Sequence, residues 1–474
     1  CRPRRSLVLG VCGSQSGEQA VSNEHTRLLD ATTTFDRTHR TPAGMGTMDT
    51  HDIGDREPDR RATVRTERDV IGFVTRTCFK TGPPGRVGIE SEWFIHPVRP
   101  HQRSTRPVPP EPGLPDLHHL QRLADQADPL PGGSRLTFEP GGQLELSTAC
   151  GDHLPHALSL LHSDLAQIDK LLSDDGLRRV GVGVDHERPP QRQLRTPRYD
   201  AMEQFFDTRG PEGRLMMTST AAVQVCLDAG ADDEDVRRRW SLTHALAPVL
   251  VAAFANSPLC GGRVTGWAST RQHIWSQLDL GRVRPALTEQ GHPAEHWARY
   301  ALDARVMAVR SADGPWEADP GMTLREWVSG VTGRPGPTYD DVAYHLSTLF
   351  PPVRPHGWLE LRMIDALPDH LWPVAVAVTT ALVDDDAAAD RARDAIEGTE
   401  HLLEAAARDA LHDVVLRRAA TRAFEAALDA LPRLQLHEAL IRQVDDYADR
   451  YVAAGRTPGD DLCDDWRSGQ ERSA

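Results

Sequence analysis

The chain has 474 residues, 39% of them hydrophobic and 26% charged, which supplies ample apolar material for a large core. A formal net charge of −15 leaves no basic surplus for neutralising phosphates and argues against a nucleic-acid binder, and no apolar run approaches the length of a bilayer span. Seven scattered cysteines without a C-x-x-C point to a reducing cytoplasm, and away from a disulfide framework or a thiolate zinc site.

Residues 1–63 read as a disordered extension. "RPRRSLVLGVCG" imitates the start of a signal peptide, but its apolar patch is short and the sequence after it lacks helical or strand periodicity. Residues 64–454 read as one structured domain. "TERDVIGFVTRTCF" predicts an amphipathic helix, "RVGIESEWFIH" a strand, and the Pro-, His- and Arg-rich stretch 97–131 a long loop. "FEPGGQLELST", 138–148, predicts a hairpin turning at Pro140, Gly141 and Gly142. Leu154, Leu158, Leu161, Leu165, Ile168 and Leu172 then fall at helical spacing before Gly176.

"RRVGVGVDH" reads as a strand whose Gly181 and Gly183 permit close approach of a ligand or backbone. "RLMMTSTAAVQVCLDAG" reads as another strand, and "ADDED" as the acidic opening of a long helix. "GWLELRMID" is the last strand. An Ala-rich region from about 371 to 454 predicts two to four packed helices, and 455–474 a flexible tail. The whole reads as α+β, a mostly antiparallel sheet with one polar face, flanked by helices.

The polar face is where chemistry concentrates. Strand alternation sets Glu90 and Glu92 opposite Val87, Ile89, Trp93 and Ile95, and sets Glu360 and Arg362 opposite Leu359, Leu361 and Met363. Pairing Glu139 with Gln143 across the hairpin makes Glu139 and Glu145 diagonal neighbours. Taken singly, each of these is an ordinary solvated strand face. If the strands share one sheet, five carboxylates converge, and an all-oxygen set suits Mg²⁺ or Mn²⁺ better than zinc. Such ions typically hold nucleotide phosphates, and Arg362 would offset charge on a transferred phosphoryl group. No G-x-x-x-x-G-K-[ST] occurs, so a P-loop is excluded. "STRQHIWSQLD" reads either as a segment whose Arg271, His273 and Trp275 would grip a small anion such as an amino-acid carboxylate, or as an ordinary solvated helix start. His186 reads either as a ligand or as a polar strand cap.

The ordered set "GIESEW", "FEPGGQLELST", "TSTAAVQV", "STRQHIWSQLD" and "WLELRMID" resembles the glutamate–cysteine ligase superfamily, in particular its actinobacterial branch serving ergothioneine biosynthesis. The resemblance covers most of residues 64–450. It implies a glutamine-synthetase-like curved sheet and ATP-dependent ligation, in which the glutamate γ-carboxylate is phosphorylated and the amine of cysteine displaces phosphate. By motif it implies metal-site roles for Glu90, Glu92, Glu139, Glu145 and Glu360. Glu360 and Arg362 would be catalytic, with Arg362 facing the phosphoryl group; Arg271, Gln224 and Trp275 would contact substrate, Arg271 at the glutamate α-carboxylate. Related bacterial carboxylate–amine ligases carry a histidine pair where this chain reads "VQV", so the neutral Gln224 reads as a substrate contact and not a metal ligand. A ligase using another amine, a metal-dependent phosphohydrolase and a non-catalytic metal-binding scaffold remain as alternatives.

Overall fold

A computed structural model describes residues 59–98, 115–286 and 291–471. Among these residues nine strands occur in order: β1 Val87–Pro97, β2 Arg135–Phe138, β3 Leu144–Ser147, β4 Leu177–Val180, β5 Ala222–Asp228, β6 Leu259–Cys260, β7 Arg263–Val264, β8 Val353–Pro355 and β9 Trp358–Asp365. Seven form one sheet in the order β2-β3-β1-β5-β9-β8, and β4 pairs with the far end of β1. Every pairing in it is antiparallel. The sheet is the mostly antiparallel one the alternation predicts, with helices packed on it.

Alternation explains how the sheet is seated. Val87, Ile89, Trp93 and Ile95 of β1 and Leu359, Leu361 and Met363 of β9 all enter the main core. Phe94, on the other side of β1, joins a separate small cluster with Val182, Ala221 and Ala366. The core side is covered by helices Leu154–Asp174, Asp233–Ala253 and Trp372–Asp384. The last of these, "WPVAVAVTTALVD", is apolar on all sides, and its residues from Trp372 to Val383 are all buried, as befits a helix at the centre of a large domain.

Several predicted elements are redrawn. The expected disorder of residues 1–63 lies outside the described residues as far as 58; beyond them Thr63 pairs with Thr338 and Val64 is buried. The long loop 97–131 contains a helix, Leu117–Gln126, capped by Asp116 (residues 99–114 lie outside the described ones). "RLMMTST" is helical over Glu212–Ser219, and only Ala222–Asp228 is strand. Between 371 and 454 there are five α-helices, not two to four: Trp372–Asp384, Asp386–Ile396, Leu403–Asp409, Val414–Ala430 and Glu438–Tyr447.

The predicted flexible tail is a helix, Pro458–Glu471. Asp461 fastens the chain ahead of it, accepting from Arg450 Nη2 at 2.7 Å, Tyr451 Oη at 2.8 Å and Arg456 Nη2 at 3.0 Å. The Gly459 N–H donates to the Ala255 carbonyl at 3.1 Å, and Cys463 is buried.

β4 is shorter than predicted, because Gly181 and Gly183 lie just past it against the chain itself. A Cβ at Gly181 would stand 2.0 Å from the Leu367 carbonyl oxygen, and one at Gly183 2.6 Å from Asp365 Cγ.

Candidate active site

Register brings the carboxylates together. Glu92 stands opposite Glu145 across β1–β3, Glu90 opposite Ser147 and, on its other side, Gln224. Glu139 follows β2, and its N–H donates to the Gln143 carbonyl at 2.8 Å while its own carbonyl accepts from Gly142 at 2.8 Å. Gly142 has φ +86°, which side chains rarely adopt, and a Cβ on Gly141 would lie 2.2 Å from the Thr218 carbonyl oxygen. The double glycine therefore does two jobs: it closes the hairpin and lets Thr218 approach. Gln143 is spent on structure, donating to the Met217 and Thr220 carbonyls at 3.3 and 3.0 Å.

Glu92, Glu139 and Glu145 each place one carboxylate oxygen within 4.8 Å of those of the other two, the only such group among the described residues. Glu145 Oε1 accepts from Thr137 Oγ1 at 2.8 Å, and Glu92 Oε2 from the Ala222 N–H at 2.8 Å. Neither contact supplies a counter-charge. Burial, then the neighbouring Glu139 and Glu145, pushes the Glu92 carboxyl well above its usual range. Burial and Glu145 push Glu139 up to about 7. Glu90 is pushed up to about 8 by burial, by Glu360 and by Glu145. A hard cation would relieve this crowding, and an all-carboxylate set is the donor chemistry that Mg²⁺ or Mn²⁺ takes.

The basic half of the site begins at Glu360. Buried on β9, this carboxylate receives the Arg354 fork, Nε on Oε2 at 2.7 Å and Nη2 on Oε1 at 3.0 Å, and also Arg362 Nη1. Arg362 Nη1 reaches Gln224 Oε1 at 2.5 Å as well. Arg271, nine-tenths buried or more, donates through Nη2 to the Arg362 carbonyl at 2.9 Å. Its Nε and Nη1 are buried without a hydrogen-bond partner. Trp275 lies beside it, 5.8 Å from guanidinium carbon to ring centroid, and packs edge-on against Phe350. Gln224, bonded to Arg362, stands opposite Glu90 in the β1–β5 register, so the basic and acidic halves adjoin across the sheet.

A family model described as glutamate–cysteine ligase family 2 matches residues 86–473. The chain belongs to that family. Glutamate–cysteine ligase EgtA of Mycobacterium tuberculosis is 41% identical over 401 residues, 83% of this chain and 88% of its own. The enzyme of the same name from Mycolicibacterium smegmatis is 42% identical over 397 residues, covering 81% and 91%. The chloroplastic glutamate–cysteine ligase of Arabidopsis thaliana is 31% identical over 66% of this chain and 62% of its own. A bifunctional glutathione synthetase from Pasteurella multocida superposes with a TM-score of 0.44 at 14% identity, over 85% of this chain and 51% of that one, a likeness too loose to add to the fold.

Within this glutamate–cysteine ligase family member, the five expected carboxylates divide. Glu92, Glu139 and Glu145 form the cation-ready group, Glu90 feels both that group and Glu360, and Glu360 itself is engaged by two arginines. His186 joins neither set; its carbonyl accepts from the Gly262 N–H at 2.9 Å. Sequence reasoning missed Arg354, which lies on a strand of three residues, too short to show alternation. It also missed Asp365. This buried carboxylate accepts from the Asn256 N–H, Ser257 Oγ and Ser269 Oγ at 2.9, 2.7 and 2.9 Å, and faces Arg271 Nη1 at 3.8 Å. An acid two residues past Met363, on the face that alternation assigns to the core, is the available signal. Among the described residues no helix is long and apolar enough to cross a membrane.

Proposed function

We propose that the chain joins the γ-carboxylate of glutamate to the amino group of cysteine with cleavage of ATP to ADP and phosphate, the first step towards ergothioneine, in the cytoplasm. The observation that carries this reading is the abutment of two opposite half-sites. One is a group of three carboxylates that engages no basic side chain at salt-bridge distance among the described residues; the other is a buried pair of arginines, one with two nitrogens that make no hydrogen bond.

A carboxylate is a poor acyl donor because its leaving group would be oxide. In the proposed sequence a γ-carboxylate oxygen of glutamate takes the terminal phosphoryl group of ATP and ADP leaves. The cysteine amine then adds to the acyl carbon, loses a proton, and phosphate departs with the original carboxylate oxygen. Mg²⁺ or Mn²⁺ held by Glu92, Glu139 and Glu145 would neutralise the triphosphate. Arg362 would meet charge developing on the transferred group, in a buried setting where such contacts are strong. Arg271, whose Nε and Nη1 make no hydrogen bond, would hold the glutamate α-carboxylate, with Asp365 orienting it and Trp275 walling the pocket. Gln224, bonded to Arg362, would extend the substrate contacts.

ADP release measured with ATP, Mg²⁺ and glutamate, across cysteine and a panel of other amines, tests this. Cysteine should support the fastest turnover, with γ-glutamylcysteine formed in step with ADP. Faster turnover with another amine would replace the acceptor, and ADP release independent of glutamate would favour a phosphohydrolase.

A further inference from the structure

Arg354 is paired directly with Glu360 in the β8–β9 register, and the two side chains are 14% and 1% exposed. Two-point contact of a planar guanidinium with both carboxylate oxygens is the most restrictive geometry an ion pair can adopt, and one that lysine cannot reproduce. Arg362 approaches Oε1 from the same strand, so both Glu360 oxygens are engaged by nitrogen donors. Burial alone would raise the Glu360 carboxyl, but Arg354 and Arg362 hold it down to about 2. Withdrawing Glu360 to serve a cation would leave two buried guanidinium groups without their partner, a heavy penalty in a desolvated site. Two arginines and one glutamate leave a net positive charge beside the acidic triad, complementary to phosphate oxygens.

We propose that Arg354 and Glu360 form a clamp that positions Arg362, and that Glu360 serves as this anchor and not as a ligand of the cation taken by Glu92, Glu139 and Glu145. Arg354 is then a positioning residue, acting on the phosphoryl group through Glu360 and Arg362. The kinetic arm of this inference rests on the ligase reading; the metal-binding arm does not.

The test compares Mn²⁺ affinity, by isothermal titration or electron paramagnetic resonance, with steady-state kinetics in the full chain. The variants are Arg354→Lys, Glu360→Gln and Glu145→Gln, each checked for folding by circular dichroism. Glu145→Gln should weaken Mn²⁺ by roughly tenfold or more, since it removes one charge from a hard-cation site. Arg354→Lys and Glu360→Gln should keep Mn²⁺ affinity within about twofold while kcat falls by roughly tenfold or more and KM for glutamate holds. Glu360→Gln weakening Mn²⁺ as much as Glu145→Gln would overturn the anchor role. Wild-type kcat in Arg354→Lys would overturn the clamp, and that variant alone decides should Glu360→Gln fail to fold. A wild-type protein that binds Mn²⁺ but releases no ADP with glutamate and cysteine would sink the ligase reading instead.

Discussion

Glu92 and Glu145 face each other at one position of the β1–β3 ladder, two carboxylates where a sheet ordinarily avoids like charges. Directly opposed like charges destabilise a strand pair by about 0.2–1 kcal/mol, and the nearby Glu139 adds to the strain. Glu145→Gln should therefore raise the thermal midpoint of the metal-free protein, because the amide oxygen can still accept from Thr137 Oγ1. The same change should abolish most of the stabilisation that Mg²⁺ confers on the wild type. Differential scanning calorimetry with and without Mg²⁺ checks both halves, and a lower metal-free midpoint would contradict the reading of the pair as strained.

The raised carboxyls predict the sign of the pH dependence. Glu90 and Glu139, pushed up to about 8 and about 7 from 4.5, keep protons in the folded state that the unfolded chain has already released. Their contribution to stability is fully present below pH 4.5 and is lost as pH rises through about 7 and 8. In metal-free buffer the thermal midpoint should fall as pH rises from about 4.5 to about 8 and level off above that. The rise on adding Mg²⁺ should grow over the same window, since the cation binds the ionised form. A flat Mg²⁺ effect across that range would count against these residues as its site.

Arg271→Lys and Arg362→Lys should fail differently. Lysine keeps the charge and loses the planar fork. If Arg271 holds the glutamate α-carboxylate throughout, its replacement mainly raises KM for glutamate. If Arg362 meets charge that develops during phosphoryl transfer, its replacement lowers kcat by roughly 10²-fold. Kinetics with ATP and cysteine saturating separate the two, and a pure KM effect at Arg362 would reverse the roles.

The strands that carry the site are legible because their apolar residues alternate: Val87, Ile89, Trp93 and Ile95 of one and Leu359, Leu361 and Met363 of the other enter the main core. Their shared polar face, and hence the meeting of Glu92, Glu139 and Glu145, follows from the order β2-β3-β1-β5, a set of long-range pairings that no local pattern encodes. The division of the five carboxylates was not legible. It depends on Arg354, whose three-residue strand carries no period, reaching Glu360 across β8–β9. "RLMMTST" misleads because its Thr residues suit a strand and it runs straight into the alternating "AAVQV", whereas Gly213 is packed against Phe206 and the segment closes as a helix.

The C-terminal helix was misread as a tail for its polar composition, and its removal gives a further prediction. Deleting residues 455–474 takes away the Asp461 contacts with Arg450 and Tyr451 and uncovers the small cluster around Phe94 and Val182 that Leu462 packs against. The truncated protein should melt several degrees lower. An unchanged midpoint would show that the helix adds nothing to the fold.

The central claim is that glutamate is activated by phosphorylation on its γ-carboxylate. Turnover with glutamate labelled with oxygen-18 in that carboxylate, together with ATP, Mg²⁺ and cysteine, tests it most directly by mass spectrometry of the released phosphate. One labelled oxygen should appear in phosphate for each γ-glutamylcysteine formed. Phosphate free of label alongside labelled water would contradict the account.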